Sequence, residues 1–178
     1  MNHMRYVYLF FICLSVSLNA KQEMRTHSKI GMDLLSRGVV IFEDTFAGVI
    51  SSSVYSGGTW STSSAISTAG LDSSYPYLAF DVTSGYAMAV WLSSDTTTGA
   101  SLLYGSIYTP GTGWSPTPFK ITNNNVSVIP DSIDLSITQL GTSNIGSATW
   151  RQFNGANVEI GVATGSIANG WGTGSTIN

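Results

Sequence analysis

One short motif returns along this chain at a nearly constant interval. Gly57-Gly58-Thr59-Trp60-Ser61 is followed by Gly111-Thr112-Gly113-Trp114-Ser115 and then by Ala168-Asn169-Gly170-Trp171-Gly172. Successive tryptophans of the motif stand roughly 55 residues apart, within the range of repeat architectures. A second pair, Trp91 and Trp150, keeps a similar spacing, and Leu78, Phe80 and Val82 are matched one period later by Ile133, Leu135 and Ile137. A shared period means that one supersecondary unit is built several times. Each unit must then bury its apolar faces against its neighbours.

The unit reads as four strands. In residues 75–122 they are 75–82, 86–92, 100–108 and 114–122, separated by turn residues such as Ser84-Gly85 and the stretch 109–113. Residues 123–178 repeat the plan as 128–137, 145–153, 158–167 and 171–177. A partial unit, 45–74, precedes them, with 49–55 and 60–68 standing for strands three and four and 39–46 as an aberrant earlier strand. The expected fold is all-β: tandem four-stranded antiparallel β-propeller blades, about two and a half of them. A β-sandwich or a β-prism is the alternative, but a sandwich has no need of a Gly-rich turn and a Trp at the same place in every period.

Propellers use about four to eight blades, so this chain supplies an incomplete ring. The exposed blade face and strand edges could be covered in three ways. The chain could form a homo-oligomer or pair with another repeat-bearing chain to complete a ring, it could be a truncated fragment of a longer propeller protein, or it could be an open stack capped by its leader.

Residues 1–20 read as a signal peptide, with Arg5 ahead of an apolar run, 6–18, and the small Ala20 at the cleavage point. That run is shorter than the roughly 20 residues of a spanning helix. A secreted, periplasmic or cell-surface location follows, with no membrane association after cleavage. Residues 21–44 form a polar leader. Cys13 is the chain's one cysteine and lies within the apolar run, so the mature protein is expected to have no disulfide, thiol nucleophile or cysteine zinc site.

Charge excludes further classes. Charged residues make up 10% of the chain. Removing Arg5 from the seven basic residues leaves six against ten acids, a net charge of −4. No basic stripe is present to neutralise phosphates, which argues against nucleic acid as a partner.

The turn into Trp60-Ser61 and the strand ending Ala89-Val90-Trp91 resemble bacterial propeller repeats of the sialidase-like superfamily. The resemblance covers about residues 49–177. Ser53 to Trp60 fits the family's Asp-box frame, Ser-x-Asp-x-Gly-x-Thr-Trp, except that Tyr55 takes the Asp place; the later copies, 106–114 and 165–171, depart further and have no Asp. The resemblance implies the fold and not the activity. Sialidases gather three arginines on the substrate carboxylate beside a Tyr nucleophile, a Glu and an Asp. Here the mature arginines are Arg25, Arg37 and Arg151, two of them in the leader.

No other catalytic constellation stands out. Asp81, Asp95, Asp131 and Asp134 lack the Asp-x-Asp-x-Asp-Gly spacing of a calcium loop and read as turn caps or solvated acids. His27 is the one histidine after the signal segment, too few for a metal site or a Ser-His-Asp triad. No metal and no cofactor is expected. The tryptophans suit packing between neighbouring units, or stacking on sugar as in some propeller lectins. Trp91, Trp150 and Tyr86 are the candidate ligand contacts. The functional expectation is a secreted, non-enzymatic binding or scaffolding module for a carbohydrate or protein ligand. The alternatives are a degenerate sialidase-like glycosidase assembled from several chains, or a fragment of a longer propeller.

Overall fold

A computed structural model describes residues 27–177 apart from 96, 124, 141 and 142. The signal segment 1–20 and Arg25 therefore lie outside the described residues. All regular structure among the described residues is strand, arranged as three successive curled antiparallel sheets. The first contains β1 (Ser28–Met32), β2 (Gly38–Asp44), β3 (Val49–Ser56) and a fourth position split into β4 (Thr59–Trp60) and β5 (Ser64–Ala65). The second contains β6 (Ser73–Phe80), β7 (Ala87–Ser94), β8 (Ser101–Thr109) and the split pair β9 (Gly113–Trp114) and β10 (Phe119–Lys120). In the third, the first position is also divided, into β11 (Ser127–Val128) and β12 (Asp134–Leu140). It is followed by β13 (Ser143–Phe153), β14 (Val158–Ser166), β15 (Gly170–Trp171) and β16 (Ser175–Ile177).

This corrects one expectation. The first sheet is whole rather than half a unit, because residues 28–44, read as leader, supply its first two strands. Gly38-Val39-Val40-Ile41-Phe42 is β-branched and aromatic enough to form a buried central strand. The charged residues around it hid that. Asp33 and Arg37 belong to the β1–β2 turn, and Glu43 accepts from the Tyr75 amide of the next sheet at 3.3 Å.

The recurrence is structural. Trp60 lies opposite Tyr55, Trp114 opposite Tyr108 and Trp171 opposite Gly165, each on the third strand of its own sheet. The next residue donates its amide in the same way each time: Ser61 to Val54 O at 2.8 Å, Ser115 to Ile107 O at 2.8 Å and Gly172 to Thr164 O at 2.9 Å. One turn of the ladder earlier on each third strand, at Ser51, Tyr104 and Gly161, the cross-strand neighbours are Phe42, Trp91 and Trp150. The fourth strand breaks after each motif. In the second sheet the break holds Pro116 and Pro118, which have no N–H to offer the ladder, whereas the first and third sheets break at the same place without proline. Beyond the break a hydroxyl completes it: Ile50 N donates to Ser67 Oγ, and Leu103 N to Thr122 Oγ1, both at 2.9 Å.

The sheets stack in chain order around β7, whose two faces serve two interfaces. Ala87, Ala89 and Trp91 pack with Val39, Ile41, Ile50 and Ile66 of the first sheet. Met88, Val90 and Leu92 pack with Ala148, Trp150 and Trp171 of the third. All six β7 residues are essentially inaccessible, and burying each large one stabilises the fold by about 1.5–3 kcal/mol. Close approach depends on missing side chains: a Cβ on Gly105 would come within 2.7 Å of the Trp171 ring. The turn after β6 is held from both sides. Arg37 of the first sheet donates to Ser84 O at 3.4 Å, and Asn144 of the third donates to Ser84 Oγ at 2.9 Å.

Candidate functional site

The surface hollows with the most chemistry lie between the first and second sheets. Where Pro116 and Pro118 interrupt the fourth strand, a groove of about 570 Å³ opens beside Trp114. Val54, Ile66 and the two prolines form its apolar walls, and Ser64, Ser67, Ser115 and Thr117 bring hydroxyls to it. Trp114 is half-buried. Its indole N–H donates to Ser52 Oγ across the interface at 2.9 Å, and its ring leans on Tyr108 with centroids 5.5 Å apart. The ring is thus fixed on two sides. Among the described residues, no charged side chain lines this groove.

A second hollow, about 290 Å³, lies on the other side of Val54 and Gly113, which line both. Its walls include Arg37, Tyr55, Phe80, Tyr108 and the glycines of the 109–113 turn. Arg37 is held in place from behind by Asp33. Its Nε donates to Asp33 Oδ2 at 2.6 Å, while the Leu35 and Arg37 amides donate to Asp33 Oδ1 at 2.9 and 2.8 Å. Burial raises the Asp33 carboxyl pKa, but the amide bonds and the guanidinium outweigh it and hold the group below the usual carboxylate value. Tyr108 moves the other way: burial raises its phenol, the Arg37 charge opposes this, and Asp33 adds to it. It stays protonated and can both donate and accept. Gly85 is required beside this pair, because its φ is +78° and a Cβ there would come within 2.9 Å of Asp33 Oδ2.

The candidate contacts drawn from sequence are placed differently. Trp91 is 0% exposed, wedged between the first two sheets, so neither ring face is open to a ligand. Trp150 is 2% exposed, with its indole N–H on Gln152 Oε1 at 2.7 Å, and it reaches only a small polar hollow of about 280 Å³ with Asn123, Gln152 and Thr176. Tyr86 is half-buried in the turn between β6 and β7. The three do not converge. The physical reason is the stacking: each central-strand Trp faces the preceding sheet, which covers it, as the second sheet also covers Trp171, whereas Trp114 at the edge of the second sheet is covered only in part by the first.

The acids cap turns or face solvent. Asp81 accepts from the Thr83 amide at 3.0 Å and from the Ser84 hydroxyl, and that hydroxyl is the main reason its pKa is lowered. Asp95 accepts from the Thr97 and Thr98 amides, and Asp131 and Asp134 are exposed. His27 bonds Glu43 at 3.0 Å and stacks on Tyr75. Arg37 and Arg151 stand apart, the first at the cleft and the second on the outward face of the third sheet. Among the described residues no three metal-ligating side chains come together.

Trp114 and Arg37 are the residues the sequence reading passed over. The signal beside Trp114 is Ser-Pro-Thr-Pro, whose prolines cannot continue a ladder and so mark an opening at the sheet edge that the reading of 114–122 as one strand overlooks. Arg37 carried no such signal, since its turn was read as leader. No family model matches this chain, and no curated protein shows significant similarity to it.

Proposed function

We propose that this is an exported, non-enzymatic binding module made of three propeller-type blades, with a carbohydrate ligand lying in the Trp114 groove. One observation carries the reading: a partly exposed indole, held by Ser52 and Tyr108, lines an uncharged groove that also carries hydroxyls. Sugars present an apolar C–H face to an aromatic ring and hydroxyls to the surrounding polar groups, and a preorganised ring loses little entropy on binding. The basic, then apolar, then small-residue pattern of residues 1–20 supports export.

The test is a glycan array probed with folded protein, followed by calorimetry on Trp114→Ala. Loss of the ring is expected to weaken binding about tenfold, an interaction of roughly 1.4 kcal/mol; because the ring also packs on Tyr108 and bonds Ser52, the melting temperature falls as well, and binding is compared below the variant's own transition. A well-folded protein that binds protein ligands and no glycan would overturn the carbohydrate assignment.

The same reading takes the three blades as an open stack rather than part of a ring. Where β7 has Met88, Val90 and Leu92 facing the third sheet, β13 has Ser147, Thr149 and Arg151 facing outward. Those residues suit water, not another blade. Light scattering should give the mass of a monomer; a stable dimer or trimer would restore ring closure.

A further inference from the structure

The two hollows between the first and second sheets share Val54 and Gly113 as lining residues and are therefore neighbours, an arrangement that suits an extended ligand. Their chemistry differs. The Trp114 side is neutral, while Arg37 is the one charged side chain lining either hollow among the described residues. The Arg37 side chain is 40% exposed and that of Asp33 only 1%. The bonds to Asp33 and to Ser84 O use two of the five guanidinium N–H groups. A buried carboxylate behind an arginine fixes its plane, and the remaining fork matches another planar carboxylate in front. Tyr108, protonated and nearby, supplies a further hydroxyl.

From this juxtaposition we propose that the ligand is a carboxylate-bearing glycan of the uronic-acid type, with one sugar on Trp114 and the carboxylate of a neighbouring sugar on Arg37. The proposal rests on the carbohydrate reading of the groove and adds the ligand's charge. Arg37 is partly neutralised by Asp33, so the preference for acid over ester is moderate, about tenfold. It weakens as salt rises, because the guanidinium is half in water.

The experiment titrates the full-length mature protein with short oligogalacturonates and with the same oligomers as methyl esters. Variants are Arg37→Gln, Arg37→Lys and Trp114→Ala. The acid form should bind about tenfold more tightly than the ester. Arg37→Gln should bring the ratio of acid to ester affinity down to about one, whatever it does to the two affinities together. Arg37→Lys, which keeps the charge and loses the fork, should recover only part of the preference. Trp114→Ala should weaken both forms. In parallel, galacturonate monomer should shift the amide resonances of Gly85, Gly111 and Gly113 in the wild type and not in Arg37→Gln. Equal affinity for acid and ester, or an acid preference that survives Arg37→Gln, overturns the carboxylate assignment and leaves the groove standing. Binding of neutral glycans through Trp114 with no binding of either galacturonate form does the same. If no glycan binds and the monomer still shifts those glycine amides, the groove reading fails and the Arg37 site stands alone.

Discussion

The central strands of the second and third sheets occupy equivalent places and have opposite surroundings. In β7 every residue from Ala87 to Ser93 is buried, and successive side chains go to different neighbours. In β13 burial alternates: Asn144, Gly146, Ala148, Trp150 and Gln152 point inward, while Ser147, Thr149, Arg151 and Phe153 are exposed. The β7 pattern is the continuous apolar run of a strand covered on both faces, and the β13 pattern is the alternation of a strand covered on one. A repeat therefore specifies the unit, and the side chains of one face specify whether another unit follows.

That contrast can be broken by exchanging the residues. Leu92→Arg would place a charge in the fully buried interface with the third sheet, and the protein should lose several kcal/mol of stability and fail to fold at ordinary temperature. The reciprocal change at the equivalent exposed place, Arg151→Leu, should leave the melting temperature within a few degrees. Paired with Thr149→Val, it should promote self-association visible by light scattering, since it joins an apolar corner already formed by Phe153, Val158, Ile160 and Ile177. A monomer from the double variant would show that the outward face is not what limits the stack.

The second interface is also tight enough to sense one methyl group. Gly105→Ala should cost about 1–3 kcal/mol by overpacking against Trp171, measured as a shift in the denaturation midpoint. A smaller and symmetrical effect is expected where hydroxyls complete the ladder. Ser67→Ala and Thr122→Ala should each cost about 1 kcal/mol, because the Ile50 and Leu103 amides lose their acceptors. Unequal costs would mean that the two interfaces are not built alike.

The mildest probe is acid. Asp33 and Asp81 are both depressed in the folded state, so each binds its proton more readily when unfolded. Their contribution is present above the unfolded aspartate value of about 3.9 and is lost as pH falls through the lower folded values. Thermal melts between pH 5 and pH 2 should show the loss below about pH 4, and Asp33→Asn should flatten part of it.

Much of this architecture was legible residue by residue. The Gly-rich turn followed by Trp60, Trp114 or Trp171 reports the same backbone event three times, and Asp81 before Ser84-Gly85 reports a turn, because turn chemistry is local. The first two strands were missed for a related reason. Ser28–Met32 is too short and mixed to show a period. Asp33, Arg37 and Glu43 read as solvated charge when no partner can be seen, yet Asp33 lies buried against Arg37 and Glu43 takes the Tyr75 amide. The candidate site divided along the same line. The sequence separates Trp91 and Trp150 from the three motif tryptophans and favours that pair as ligand contacts; the covering of Trp91 and Trp150 and the partial exposure of Trp114 are set by which sheet lies over each ring.

From the order of residues alone come the strand class and the period, since these depend on backbone preferences within a few residues. The count of three sheets, the burial of the central-strand tryptophans and the placing of Trp114 and Arg37 in neighbouring hollows belong to the folded molecule. They depend on contacts between residues as far apart as Ser52 and Trp114. No local preference encodes such a contact, because its energy exists only once two sheets have excluded the water between them.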